Sequence, residues 1–173
     1  MTEAANSGID TVRTTVASYT LGSNVENVQY LGGAAYTGTG NGLANTMDGG
    51  FNNDVLDGAG GADTIRGSAG NDTIRGGAGS DILTGGVGND TFVFASGFGT
   101  DRITDFDANP TGGQDLIDVR SFGITATNFA QQVTIADVGA DVLITIGGNS
   151  NQTIRLVGVA DGTTVTVQDF FFG

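Results

Sequence analysis

An all-β fold, a parallel β-roll of nonapeptide repeats with antiparallel β-strand caps on its flanks, is what three features of this 173-residue chain predict. A nine-residue unit recurs without a break through the middle of the chain. Its first six places are rich in Gly, Ala, Ser, Asn and Asp, and its eighth place is apolar in every copy. A short fixed period dictates an architecture in which each unit stacks on its neighbours, because one unit alone cannot bury its apolar side. The composition divides the chain into residues 1–39, 40–93 and 94–173.

Residues 1–39 form a β-rich lead-in. Thr11-Val12-Arg13-Thr14-Thr15-Val16 and Tyr19-Thr20-Leu21 carry the β-branched and aromatic side chains of strands, and Asn24-Val25-Glu26-Asn27-Val28 follows them. Their expected work is to cover the open end of the roll, since an uncovered strand edge invites aggregation.

The five copies from Gly49 to Val93 read GGFNNDVLD, GAGGADTIR, GSAGNDTIR, GGAGSDILT and GGVGNDTFV, and a weaker copy, GNGLANTMD, precedes them from Gly40. Gly40, Gly49, Gly58, Gly67, Gly76 and Gly85 open the units. Asn45, Asp54, Asp63, Asp72, Asp81 and Asp90 hold the sixth place, and Met47, Leu56, Ile65, Ile74, Leu83 and Phe92 hold the eighth. Six small polar residues cannot make a core, but they can turn. Gly enters positive φ at no steric cost. Asn52 stands where most copies have Gly, and Asn tolerates the left-handed region better than most residues. The last three places, such as Thr64-Ile65-Arg66, make a short strand whose middle side chain points inward and whose neighbours face water. Two units complete one coil, so every second turn stacks on the same side: Asp54, Asp72 and Asp90 on one, Asn45, Asp63 and Asp81 on the other.

That stacking sets carboxylates about 4.8 Å apart on successive coils. Like charges at such spacing destabilise a fold. The chain has no Lys, and Arg66 and Arg75 sit on the outward places of their strands. A hard cation resolves the conflict. Ca²⁺ takes six to eight oxygens from carboxylates and backbone carbonyls, and Gly-rich turns supply carbonyls with no side chains in the way.

After Val93 the period is lost. Phe92-Val93-Phe94 is a bulky stop to a narrow core. Asp101-Arg102-Ile103-Thr104-Asp105-Phe106 and Asp115-Leu116-Ile117-Asp118 flank a Gly/Pro/Asn turn region. Asp101 or Asp105 serves either a terminal calcium site or simply a solvated strand end. Alternation then marks strands over 133–138, 141–146 and 153–159, joined by hairpin-length loops, an antiparallel meander. The chain ends Asp169-Phe170-Phe171-Phe172-Gly173, read either as an edge strand or as an address for an exporter.

Net charge is −13, with 19 acidic side chains against six Arg, a balance that opposes nucleic acid and anionic membranes and favours cations. With no Cys and no His, the chain lacks a disulfide framework, thiolate or imidazole metal sites, and the usual Ser-His-Asp and Cys-His arrangements. No apolar run approaches the roughly 20 residues of a membrane span, and Met1-Thr2-Glu3 opens no secretion signal of the usual form.

The repeats resemble those of the repeats-in-toxin (RTX, hemolysin-type) family, as found in the C-terminal regions of type I secreted proteins such as serralysin-like metalloproteases. The resemblance implies a right-handed roll and a ligand set in which the upper turn gives its second and fourth carbonyls and its Asp, and the lower turn its first and third carbonyls and its Asp. Carried onto this chain, one site joins Gly50, Asn52 and Asp54 with Gly67, Ala69 and Asp72. A second joins Ser68, Gly70 and Asp72 with Gly85, Val87 and Asp90. On the other side Ala59, Gly61 and Asp63 meet Gly76, Ala78 and Asp81. A weaker fourth joins Asn41, Leu43 and Asn45 with Gly58, Gly60 and Asp63, because Asn45 brings no charge. The resemblance further implies several Ca²⁺ ions, a type I transporter as partner during export, and an extracellular bacterial location. The expected function is a calcium-induced folding module. The alternatives are an adhesin or matrix module, or the non-catalytic fragment of a secreted protease, lipase or epimerase. No H-E-x-x-H or G-x-S-x-G motif is present, so catalysis would lie outside this chain.

Overall fold

The computed structural model describes residues 8–108, 113–159 and 165–172. Met1-Thr2-Glu3, most of the Gly/Pro/Asn turn region and Gly173 lie outside the described residues.

In the lead-in the strands are β1 (Thr11–Thr14), β2 (Ser18–Thr20), β3 (Asn27–Tyr30) and β4 (Thr37–Thr39). The repeats give β5 (Thr46–Asp48), β6 (Val55–Asp57), β7 (Gly60–Gly61), β8 (Thr64–Ala69), β9 (Thr73–Arg75), β10 (Ala78–Gly79), β11 (Ile82–Val87) and β12 (Thr91–Val93). Beyond them come β13 (Thr100–Ile103), β14 (Leu116–Asp118), a single-turn helix α1 (Phe129–Gln132), β15 (Val133–Val138), β16 (Asp141–Ile146), β17 (Thr153–Leu156) and β18 (Phe170–Phe171). They build a parallel β-solenoid. One sheet runs β1-β3-β5-β8-β11-β13-β17-β16-β15 and the other β18-β14-β12-β9-β6-β4-β2. Through the repeats the chain makes a strand in one sheet, turns, and makes the next strand in the other.

The register in the repeats spans two units, with Thr64 opposite Ile82 and Leu56 opposite Ile74. The two-unit coil read from the period is therefore the structure's own. The eighth-place side chains meet between the sheets: Met47, Ile65 and Leu83 from one, Leu56, Ile74 and Phe92 from the other, each at most 1% exposed. Each such burial contributes roughly 1.5–3 kcal/mol. The core is one side chain wide, so no layer can be lost without opening the coil.

The sheets continue through both flanks, where the coil length changes. Thr11 lies opposite Asn27, a coil shorter than two units, and Asn27 opposite Thr46, one slightly longer. Past the repeats Ile82 lies opposite Arg102 and Thr91 opposite Leu116, and both coils exceed two units, the second by most of a further unit. Antiparallel pairing among the described residues is confined to β15, β16 and β17. The expected antiparallel cap is thus found on the C-terminal flank, while the N-terminal strands pair parallel. The reason is local: the segments between β1, β2, β3 and β4 carry the chain across to the opposite sheet rather than folding it back as a hairpin.

Aromatic side chains close the core at each end of the repeats. Tyr30 and Tyr36 stack with ring centroids 4.5 Å apart. At the other end Phe94 meets Phe98 edge-on at 4.9 Å, as the bulky stop at Phe92-Val93-Phe94 led one to expect. The terminal Phe run is an edge strand: β18 pairs parallel with β14, Phe170 is buried against Phe129, and Phe171 is 44% exposed. Asp169 is buried and anchors the turn before β18, taking the Thr166 amide N–H at 2.6 Å and the Gln114 side-chain amide at 2.8 Å.

Candidate metal centre

Each repeat ends its turn by burying its sixth-place carboxyl between two coils. Asp54, Asp63, Asp72, Asp81 and Asp90 are each 1% exposed. One carboxylate oxygen is held from the coil above. The backbone N–H of Asp54 donates to Oδ1 of Asp72 at 2.7 Å, and that of Asp72 to Oδ1 of Asp90 at 2.8 Å. Opposite, the Asn45 N–H donates to Asp63 at 2.7 Å and the Asp63 N–H to Asp81 at 2.8 Å. These are two ladders of buried carboxylates along the axis of the solenoid.

Both ladders outrun the repeats. The Asp81 N–H donates to Asp101 Oδ1 at 3.0 Å, and the Asp90 N–H to Asp115 Oδ1 at 2.9 Å. Asp101 and Asp115 are buried. Asp105 stands apart and accepts the N–H groups of Gly85 and Gly86 at 3.0 and 2.8 Å. The sequence reading missed Asp115 as a ladder member. The signal was present, since Asp101-Arg102-Ile103 and Asp115-Leu116-Ile117 repeat the order of the sixth to eighth places. Longer coils hid it from any search at fixed period.

The second oxygen separates the carboxylates into two kinds. Oδ2 of Asp63, Asp72, Asp81, Asp90 and Asp101 is buried without a hydrogen-bond partner. Asp54 differs: its Oδ2 takes the Gly50 N–H at 2.6 Å and its Oδ1 the Tyr36 N–H at 2.8 Å. Asp115 is likewise satisfied, holding the Asp107 N–H through Oδ2 at 3.0 Å. Asn45 takes the Asn41 N–H at 2.8 Å and gives its amide protons to carbonyls of the lead-in, including that of Glu26 at 3.1 Å. An unpaired buried carboxylate oxygen is costly unless a cation or a proton meets it. The five orphaned oxygens are the places on the ladders that a cation or a proton would satisfy.

Carbonyls converge on the same gaps. A side chain on Gly67 would overlap Asp72 Oδ2, with the Gly85 carbonyl oxygen beside it, and one on Gly58 would meet Asp63 Oδ2 and the Gly76 carbonyl. A side chain on Gly77, Gly86, Gly79 or Gly88 would strike the carbonyls of Ala59, Ser68, Gly61 or Gly70 from the coil above. First-place carbonyls therefore face the coil above, and second- and fourth-place carbonyls the coil below. Third-place residues take part in the turn ladder: Ala69 and Ala78 donate to the carbonyls of Gly50 and Ala59, and the Gly60 N–H to that of Asn41. The Val87 carbonyl accepts the Gly70 N–H. A carbonyl has two lone pairs, so these keep capacity for a cation. Among the described residues no three His, Cys, Asp or Glu side chains are grouped so as to hold a metal ion by themselves, so carbonyls must complete any shell. All-oxygen donors of this kind suit a hard cation such as Ca²⁺.

The turn conformation also differs along the ladders. Second and fourth places have positive φ in four successive turns: Ala59 and Gly61, Ser68 and Gly70, Gly77 and Gly79, Gly86 and Gly88. Gly50 and Asn52 are absent from that set, as are Asn41 and Leu43. The left-handed position expected at Asn52 is not taken. Its turn is closed instead by the Asp54 carboxylate reaching back to the Gly50 N–H. Ala59 (φ 71) and Ser68 (φ 88) accept the strain of a positive φ without being Gly.

Burial dominates the electrostatics. It pushes the Asp63 carboxyl up to about 7 and Asp101 to about 8, each helped by the neighbouring Asp81 charge and opposed by the backbone N–H it accepts. Asp72 and Asp90 rise to about 6, and Asp81 rises, for the same first cause. Raised in this way, the carboxyls hold protons more readily than exposed ones, so protons compete with a cation for the same oxygens.

Stacked carboxylates, orphaned oxygens and converging carbonyls define a cation-binding parallel β-solenoid. Residues 39–103 match the model of the RTX calcium-binding nonapeptide repeat, described as four copies, over 39–74, 57–92 and 66–103. Repeats of this family bind Ca²⁺, and the repeat domain is a non-catalytic module. Among solved structures the chain resembles the AlgE6R3 subunit of the mannuronan C5-epimerase of Azotobacter vinelandii, at 28% identity and a TM-score of 0.58, covering 75% of this chain and 78% of that one. The AlgE6R2 subunit of the same enzyme matches at 28% identity and 0.56, covering 78% and 91%. The extracellular lipase LipA of Serratia marcescens aligns at 15% identity and 0.44, covering 87% and 41%. No curated protein matches the chain. No helix of the described residues is long and apolar enough to cross a membrane.

Proposed function

We propose that this chain is a calcium-folded module of a secreted bacterial protein, in which Ca²⁺ seated between coils completes the fold outside the cell. The observation that carries the reading is the set of five orphaned carboxylate oxygens on the two ladders. The strongest sites pair orphans. Asp63 and Asp81 act with carbonyls of Ala59, Gly61, Gly76 and Ala78. Asp72 and Asp90 act with those of Ser68, Gly70, Gly85 and Val87. Asp81 and Asp101 act with those of Gly77 and Gly79. The site of Gly50, Asn52, Asp54, Gly67, Ala69 and Asp72 is weaker, because Asp54 is satisfied by its own turn. That of Asn41, Leu43, Asn45, Gly58, Gly60 and Asp63 is weaker still. Because the shell exists only when coils stack, metal-binding free energy is folding free energy. A chain that stays unfolded in a calcium-poor cytoplasm is exportable, with residues 169–173 as the transporter's address. Any catalysis would belong to a domain outside the chain. Circular dichroism of metal-stripped protein tests this: β-structure should be largely missing and return with millimolar calcium, and magnesium should substitute poorly. A well-ordered spectrum without metal above about pH 8, where the ladder carboxyls hold no protons, sinks the proposal.

A second reading, a module that handles sugar polymers or an extracellular matrix, is favoured by the likeness to subunits of a mannuronan epimerase.

A further inference from the structure

Charge is segregated on this molecule in a way the calcium ladders do not explain. The longer sheet turns its alternate side chains outward, and four of the six arginines stand there: Arg13 on β1, Arg66 on β8, Arg102 on β13 and Arg155 on β17. The acids on that face are Asp48 and Asp141. Arg66 pairs with Asp48 at 3.2 Å and Arg155 with Asp141 at 2.6 Å. Arg13 and Arg102 form no direct ion pair among the described residues. The face is therefore net positive on a chain of net charge −13.

The arginines occupy two adjacent rows across the strands, Arg13 and Arg66 in one and Arg102 and Arg155 in the next, the row of Thr64 and Ile82. Arg13 lies in register with Gln29, Gln29 with Asp48 and Asp48 with Arg66, while Arg102 lies directly opposite Arg155. Six strand spacings separate β1 from β17, so the arginines span roughly 29 Å along the axis. Around them the outward places hold mainly hydroxyls and amides, among them Thr11, Asn27, Gln29, Thr46, Thr64 and Thr84, with one apolar side chain, Ile82, beside Arg102. At one edge a cavity of about 400 Å³ is lined in part by Gln29 and Asp48 and by Phe51, which is 84% exposed.

We infer that this face binds an acidic polysaccharide, a chain of sugar rings each bearing one carboxylate, laid along the solenoid axis. Guanidinium groups meet the carboxylates in charge-assisted pairs, and the hydroxyl and amide rows meet the sugar hydroxyls. Phe51 offers an apolar platform to a ring at the edge. The inference rests on the second reading above and gives that reading its surface and its ligand class.

The test uses the full chain loaded with calcium and, as probe, an oligogalacturonate too short to gel with the metal. Calorimetric titration should show binding that weakens with salt. The double variant Arg13→Gln/Arg102→Gln should lose about tenfold or more in affinity, with its calcium titration and its spectrum unchanged. Arg75→Gln, on the other sheet, should bind as the parent does. No binding, equal binding by the double variant, equal binding of a neutral dextran oligomer, or tighter binding of a single-stranded oligonucleotide would each overturn the inference. A chain that folds with calcium and ignores the oligouronate leaves the calcium module standing. One that is folded without calcium and still binds the oligouronate refutes only the calcium reading.

Discussion

Asp81 is the residue on which the ladders make their sharpest demand. Its Oδ2 is orphaned between two others, those of Asp63 above and Asp101 below. On the proposed ligand sets it serves two paired gaps, where Asp54 serves one and already accepts the N–H groups of Gly50 and Tyr36. Asp81→Asn keeps the size and one acceptor but removes the charge, so it should lower calcium stoichiometry and thermal stability well beyond Asp54→Asn. Equal losses in calorimetric titration would show that orphaned oxygens do not report the sites. A second residue-scale prediction comes from strain. Ser68 sits at φ 88 without being Gly. Left-handed backbone costs a non-Gly residue about 1–2 kcal/mol, and Gly returns part of that as extra freedom in the unfolded chain. Ser68→Gly should stabilise the calcium-loaded protein by about 0.5–1 kcal/mol in denaturant unfolding, and a destabilised variant would contradict that sign.

At the scale of elements, what was legible followed the period. The turn-plus-strand unit, the inward eighth place and the two-unit coil were all readable because a nine-residue repeat leaves one way to stack. Asp101 and Asp115 joined the ladders through coils longer than two units, and of unequal length, which no fixed period reveals. The lead-in strands were readable as strands, but their parallel pairing was not, since β-propensity carries no direction. Asn52 misled because tolerance of positive φ is permission, not requirement, and a neighbouring carboxylate closed that turn another way. The last element gives a third prediction. β18 rests on Phe170 packed against Phe129 and on buried Asp169, so it is both a structural edge and the proposed export address. Deleting residues 169–173 should leave the protein inside a bacterium that carries a type I exporter. In vitro the same deletion should lower the melting temperature with calcium while sparing the calcium stoichiometry, because no ladder carboxylate lies beyond Asp115. Export at the full rate would leave β18 a sheet edge and nothing more.

For the whole molecule, protons and calcium compete for the same oxygens, and the sign of that competition can be worked out. Burial raises Asp63 to about 7, Asp101 to about 8, and Asp72 and Asp90 to about 6 in the folded state. Unfolded, these groups titrate near about 3.9. A carboxyl whose folded value is raised favours the fold when protonated. That contribution is fully present below the unfolded value and is lost as pH rises through the folded one. Metal-stripped protein should therefore be least folded above about pH 8 and should gain β-structure on acidification from 8 through 6, as protons occupy the orphaned oxygens. Calcium replaces those protons, so its folding midpoint should move to higher concentration as pH falls through the same window. Circular dichroism titrations at several pH values measure both trends on one sample. Should metal-stripped protein lose β-structure on acidification through that window, or should the calcium midpoint ignore pH there, the ladders would not be the place where metal and fold are coupled.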